Sequence, residues 1–157
     1  MTALEDQRKH AWDYFALHAQ QRLTTFNFFL ILSSLLLGGL VTTFQKEFRV
    51  PHVGVPIGLF LILLAFTFWK LDTRNKQLIK NAEDGLRSLE ELWREKGHSE
   101  PPRYAVFLRD AAYVSRARSR GSWRFWKSHL SYSDCFNLTY IAVAVSGLVG
   151  AIGALLY

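Results

Sequence analysis

The residues with the clearest capacity for chemistry form a short basic and aromatic segment late in the chain. Its cations are Arg116, Arg118, Arg120, Arg124 and Lys127, and its indoles are Trp123 and Trp126. A cation near an anionic leaflet contributes about 1 kcal/mol of binding, arginine pairs with phosphate through two parallel hydrogen bonds, and tryptophan stacks on cations. The segment therefore predicts contact with anionic lipid, with an acidic protein partner, or with a nucleotide or other phosphorylated signal. Its spacing does not separate these three interpretations.

The remaining polar residues are not arranged for catalysis or for binding a metal. His10 and His18 share a predicted helix with Asp13, but the two histidines lie about 80° apart around its axis, which is poor geometry for one metal ion. The sequence has no phosphate-binding Gly-rich loop, no His-Glu-x-x-His and no nucleophile elbow. The single Cys135 excludes an internal disulfide. We therefore expect no enzymatic activity, no cofactor, no metal site and no nucleic-acid partner.

Three long stretches of the chain contain no Asp, Glu, Lys or Arg. They run over residues 23–45, 50–69 and 135–157. About 20 residues of helix cross a hydrocarbon core of about 30 Å, and three such runs leave too little amphipathic chain to enclose them in a soluble fold. We predict an all-α integral membrane protein with three transmembrane helices, at 23–45, 53–69 and 135–157, and with a short external loop at 46–52. The lipid bilayer, including its anionic lipids, is then the first partner.

The placement of basic residues predicts the orientation. The segment from 70 to 134 holds 14 of the 19 lysines and arginines, and basic residues favour the cytoplasmic side of a membrane. We therefore expect the N-terminal segment 1–22 and the segment 70–134 to be cytoplasmic, and the C-terminus to be external.

The cytoplasmic residues are predicted to form long helical extensions. Residues 1–22 have an amphipathic pattern, and residues 70–97 continue the second span as a rod. Along the rod, Leu71, Leu78 and Leu89 fall on a four-three seam that is typical of coiled coils. A second helix is predicted at 103–118, followed by a basic juxtamembrane segment at 116–130.

Small residues in the third span predict association between copies. Helices in lipid approach closely where side chains are small, and this span has a stripe of them: Ala142, Ser146, Gly147, Gly150, Ala151 and Ala154. Together with the rod seam, this stripe predicts a homo-oligomer. It could instead serve in part to pack the three spans of one chain together.

The polar residues of the first span are candidates for lining a pore in such an oligomer. They are Asn27, Ser33, Ser34 and Thr42. The alternative is that the hydroxyls bond to the backbone of their own helix. No ionisable residue occurs within a span, which argues against proton-coupled transport.

Three blocks of sequence resemble uncharacterised bacterial multi-pass membrane proteins: YFALHAQQRL at 14–23, FNFF at 26–29 and LDTRNKQLI at 71–79. The layout of a short N-terminal helix, paired spans and a helical extension is similar to the small transmembrane effectors of antiphage systems. The resemblance implies a bacterial inner-membrane effector, membrane-perturbing or channel-like, that responds to a cyclic-nucleotide signal or a partner through its cytoplasmic helices. The competing hypothesis is a membrane anchor or scaffold that recruits a soluble cytoplasmic protein.

Overall fold

A computed structural model describes residues 3–45, 50–95, 105–110, 112 and 132–156. Within these residues the chain is helical and has no strand. Helix α1 covers Ala3–Thr43, α2 covers Pro51–Glu95, α3 is a short segment at residues 106–110, and α4 covers Tyr132–Leu156. Three of them, α1, α2 and α4, are long and apolar enough to cross a membrane. The predicted all-α membrane fold is confirmed to that extent.

The ends of the helices follow from local sequence. Helix α1 has no glycine or proline before Gly38, and beyond Thr43 the backbone tightens into three-residue turns, where Phe44 N–H donates to Val41 and Gln45 N–H to Thr42. Helix α2 begins at Pro51, a position that suits proline because a first-turn N–H has no helical partner. The helix therefore begins two residues before the predicted span.

The chain divides into two units, and each is described by itself. The first, called here the span bundle, contains residues 21–74 and 130–157. Its core includes the fully buried Phe29 and Leu61. Phe26 of α1 stacks on Phe136 of α4 with ring centroids 3.8 Å apart, and Phe29 packs against Tyr140 at 4.7 Å. Aromatic contacts therefore connect α1 to α4.

The outer surface of the span bundle is strongly apolar. Large side chains remain exposed on each helix, among them Leu35 at 72%, Leu59 at 58% and Val149 at 64%. Water-soluble monomers rarely leave so much contiguous apolar surface uncovered. This surface suits lipid tails or other copies of the chain.

The second unit, called here the polar unit, contains residues 1–20 and 75–129. In its described part, Ala82 and Leu86 of α2 and Ala105 are buried. Phe107 of α3 packs edge-on against Phe15 and Trp12 of α1, with centroids at 5.6 and 6.4 Å. The start of α1, the second half of α2 and α3 thus share one small core.

Several predicted features lie outside the described residues. The basic and aromatic segment from Arg116 to Lys127 is the largest of them, and its lipid, partner and phosphate contacts stay predictions. The same holds for most of the external loop at 46–52. The cytoplasmic placement of the helical extensions also stays a prediction.

Candidate functional site

Three side chains from three helices meet at one end of the span bundle. Arg22 of α1 donates from Nε to Oδ1 of Asp72 on α2 at 2.6 Å, and from Nη2 to Oδ2 at 3.0 Å. The same Nη2 donates to the hydroxyl of Ser133 on α4 at 3.2 Å. The guanidinium also lies 4.9 Å from the centre of the Phe136 ring. We call Arg22, Asp72 and Ser133 the polar clamp.

The polar clamp is buried, which determines its energetic role. The Asp72 side chain is 5% exposed and that of Arg22 is 13% exposed. A paired buried charge contributes little net stability, but removal of one partner leaves the other charge desolvated, at a cost of about 3–5 kcal/mol. The clamp therefore joins α1, α2 and α4 at this end through a buried pair that is costly to break.

The sequence analysis did not single out the polar clamp. Arg22 immediately precedes the first apolar run, and Asp72 follows the second run by only two residues. Two antiparallel spans bring such positions to the same end. The position of each residue beside the end of an apolar run was thus the sequence feature that pointed to a contact between them.

Helices α2 and α4 approach each other through glycines. A Cβ built on Gly58 would lie 2.5 Å from the carbonyl oxygen of Gly147 and 2.8 Å from Cβ of Ala151. A Cβ on Gly147 would in turn meet the Gly58 oxygen at 2.7 Å. Because backbone lies against backbone here, neither position has room for a larger side chain. Close approach of this kind is how helices associate in lipid.

A cavity of about 980 Å³ lies in the polar unit. Its apolar wall includes Trp12, Phe15, Leu86, Leu89 and Phe107, and its charged lining consists of Arg8, Glu83, Glu90 and Asp110. The lining residues that the structure describes thus include three carboxylates and one guanidinium.

Glu90 has a second role in the polar unit. Its carboxylate accepts hydrogen bonds from the backbone N–H of Leu108 at 2.9 Å and of Phe107 at 3.5 Å. The first N–H groups of a helix lack partners within it, and Ala105, just before α3, has no side-chain acceptor to supply one. Glu90 on α2 therefore caps α3.

Replacement of Glu90 by Ala is expected to release the first turn of α3, because a lost cap of this kind costs about 1 kcal/mol. Hydrogen exchange of the Phe107 and Leu108 amides should accelerate roughly fivefold, which corresponds to that free energy. The exposed Glu91→Ala variant is the control. Unchanged exchange at both amides in Glu90→Ala would show that the cap is dispensable.

Among the described residues, no group of three or more His, Cys, Asp or Glu side chains is placed to hold a metal ion. His18 lies against the ring of Tyr14 at 4.3 Å, an aromatic contact on the surface of α1.

Comparison with known proteins identifies the family. Residues 5–157 match the model of the octameric membrane protein family, which is nearly the whole chain. The chain belongs to this family. It is also similar to CD-NTase-associated protein 19 of Escherichia coli, at 34% identity over 145 residues, which cover 92% of this chain and 87% of that relative. No solved structure matches the chain.

Membership of the octameric membrane protein family confirms several predictions made from the sequence. These are a bacterial membrane protein, a homo-oligomer, and a resemblance to small membrane effectors of defence systems.

In this member of the octameric membrane protein family, the small-residue stripe of α4 divides into two groups by burial. Gly147, Ala151 and Ala154 are buried inside the span bundle, and Gly150 lies against Leu40 of α1. Ala142 and Ser146 are exposed. The first group packs the chain against itself, as the alternative interpretation allowed. The predicted role of the stripe between copies stays a prediction, which Ala142 and Ser146 are best placed to fulfil.

The seam predicted along the rod is also only partly exposed. Leu89 lines the cavity, Leu78 is half-buried, and Leu71 is 48% exposed within the span bundle. Ala82 and Leu86 are the buried positions of α2 in the polar unit. Contacts between copies through this seam stay a prediction for the octameric family member.

The candidate pore-lining residues of α1 differ in their burial. Ser33 is buried, and among the described residues its hydroxyl has no hydrogen-bond partner. Asn27, Ser34 and Thr42 are exposed. The hydroxyls of Ser34 and Thr42 donate to the carbonyls of Leu30 and Gly39 in their own helix. In an octameric assembly, an exposed polar position on α1 faces lipid, another copy or water.

Proposed function

We propose that the protein is a homo-oligomeric effector of an antiphage defence system that acts on the bacterial inner membrane as a channel-like or membrane-perturbing assembly. Its family supports an octamer, and the relative named for association with a CD-NTase supports a role in defence. The basic residues between the second and third spans favour a cytoplasmic polar unit. No catalytic step is assigned to the protein.

The observation that carries this proposal is the polar stripe on the outward side of α1. Asn27 and Ser34 are seven residues apart, or about two turns, so they share one face of the helix. Gly38 lies on the same side, with no atom within 4 Å of a Cβ built there. An amide side chain in contact with hydrocarbon is costly. The Ser34 hydroxyl already donates to the carbonyl of Leu30, so it is the Asn27 amide that is better satisfied by water or by neighbouring copies than by lipid.

Within the second apolar run, the exposed side of α2 lacks an amide such as that of Asn27, although α1 also exposes large apolar side chains, among them Ile31 and Leu35. This side of α2 presents Leu59, Phe60, Leu63 and Phe66. Thr67 is also exposed, but its hydroxyl donates to the carbonyl of Leu63. This face suits lipid tails, and the exposed amide of Asn27 on α1 supports an arrangement with α2 outside and α1 toward the axis of the ring.

Gating is proposed to act through the helices that both units share. Helices α1 and α2 each contribute residues to the polar unit and to the span bundle. A change of packing in the polar unit therefore acts on the same helices that carry the polar stripe and the polar clamp.

A cysteine-accessibility experiment tests the stripe directly. In a Cys135→Ser background, Ser34→Cys is expected to react with a membrane-impermeant maleimide in protein reconstituted into vesicles. Phe60→Cys is the matched control, because it is exposed on α2 and lies 12 residues from Asp72, as Ser34 lies 12 residues from Arg22. We expect at least tenfold faster labelling at position 34. Equal rates at the two positions would remove the support for a water-filled path along α1.

The effector function itself is tested in cells. Expression together with the defence partner and infecting phage is expected to collapse the membrane potential, as measured with a potential-sensitive dye. Cells that lose no potential while the protein is present as an octamer would contradict the proposal. The membrane anchor or scaffold would then be the better interpretation.

A further inference from the structure

The cavity of the polar unit has a chemistry that the proposed function does not yet use. Trp12 and Phe15 from α1, Leu86 and Leu89 from α2, and Phe107 from α3 form its apolar wall. The rings are close together, with Phe15 and Phe107 centroids 5.6 Å apart. Such a surface, assembled from three helices, is typical of grooves that accept the apolar side of an amphipathic segment.

Among the described residues that line this cavity, most of the charged side chains are acidic. Glu83 and Glu90 lie seven residues apart on α2, so their carboxylates are about two turns, or roughly 10 Å, apart along the helix. Asp110 adds a third from α3, and Arg8 is the one cation in the lining that the structure describes. Nearby, Arg87 lies 4.0 Å from Glu83 but is closer to Asp84, at 3.2 Å. With Lys80, whose charge also acts on Glu83, the described groups near the cavity are four carboxylates and three cations.

This charge pattern disfavours a phosphorylated ligand. A nucleotide placed against the apolar wall would bring its phosphates near three carboxylates, and unlike a helix bearing Lys or Arg it would be repelled. Cationic side chains spaced one or two turns apart would instead match the spacing of Glu83 and Glu90.

We propose that this cavity is a docking site for a basic amphipathic helix of a protein partner, with its apolar side on Trp12, Phe15 and Phe107 and its cations on Glu83, Glu90 and Asp110. The inference rests on the proposed function in one respect, because it names the chemical class of the gating partner. A cyclic nucleotide signal would then reach the effector indirectly, through that partner.

Binding of a model peptide tests this docking site. The probe is a fluorescein-labelled 18-residue helix of leucine and lysine, titrated by anisotropy against the full-length oligomer in nanodiscs of zwitterionic lipid, with empty nanodiscs subtracted. We expect Glu83→Lys/Asp110→Lys to weaken binding at least tenfold. The control Asp84→Lys/Glu91→Lys changes the net charge equally at two exposed positions of α2 and should change the affinity less than twofold.

A second double variant with smaller changes keeps the test valid if the lysine substitutions prevent folding. Glu83→Gln/Asp110→Asn removes the same two charges without adding cations, and it should weaken binding at least threefold while circular dichroism is unchanged. Equal weakening by the lysine pair and its control would overturn the proposal, because attraction would then be general. Displacement of the peptide from the unmodified protein by a cyclic dinucleotide would also overturn it, because the carboxylates should repel the phosphates of that ligand.

The docking site and the proposed function can fail separately. Peptide binding that never exceeds that of empty nanodiscs, in a protein that still depolarises infected cells, removes the docking site alone. Specific peptide binding in a protein that never depolarises cells removes the effector function and leaves the site as that of a scaffold.

Discussion

Arg22→Ala is expected to disrupt the span bundle more than any other single truncation of a charged side chain in it. The change leaves the Asp72 carboxylate buried without a cation and leaves the Ser133 hydroxyl without its guanidinium donor. Breaking a buried pair in this way costs about 3–5 kcal/mol. We expect the melting temperature of the purified oligomer, followed by fluorescence-detected size exclusion after heating, to fall by at least 10 °C.

Further variants separate lost pairing from lost packing. Arg74→Ala removes an exposed cation from α2 and should leave the melting temperature within about 2 °C. Arg22→Ala/Asp72→Ala removes both charges, and because no uncompensated charge remains it should recover part of the loss. If the single and double variants were equally unstable, the effect would come from the volume of the arginine side chain and not from its charge.

Gly58→Leu is expected to separate α2 from α4. Even a Cβ at position 58 would lie 2.5 Å from the Gly147 oxygen, and backbone cannot move aside as a flexible side chain can. Overpacking of a tight contact costs typically 1–3 kcal/mol, and a leucine here should exceed that range. We expect loss of the folded oligomer in detergent, or a marked fall in its melting temperature.

Two alanine variants of the span bundle, one at the contact and one as its control, test this contact with a smaller side chain. Gly58→Ala should cost about 1–3 kcal/mol. Gly39→Ala is the control, because a Cβ built on Gly39 meets no atom within 4 Å and alanine in a helix is favoured over glycine by roughly 0.5–1 kcal/mol. Should Gly58→Ala prove as stable as Gly39→Ala, the two backbones would not be in close contact.

The three apolar helices were predictable because a stretch of about 20 residues without a charged side chain can be recognised in each segment by itself. The polar clamp was not predictable from such patterns, since Arg22 and Asp72 are 50 residues apart and only tertiary packing brings them together. For the same reason, residue type made both Ser33 and Ser34 pore candidates but could not show that Ser33 faces the core.

The small-residue stripe of α4 shows a related limit. A pattern of glycine and alanine indicates that a helix is approached closely, but it does not say by which partner. Gly147 and Ala151 meet Gly58 of the same chain, whereas Ala142 and Ser146 are exposed. The docking cavity was also beyond the sequence, because its wall combines residues from α1, α2 and α3 that are far apart along the chain.

The contact between Gly58 and Gly147 also bears on which helix moves during gating. Two backbones in direct contact cannot slide without collision, so α2 and α4 should travel together as a rigid pair. Helix α1 is joined to that pair by ring stacking and by the buried Arg22–Asp72 salt bridge, so the polar clamp is the contact that must open and re-form when α1 rotates. The mobile element of each subunit would then be α1, and rotation about its own axis would turn Asn27 and Ser34 into or out of the lumen.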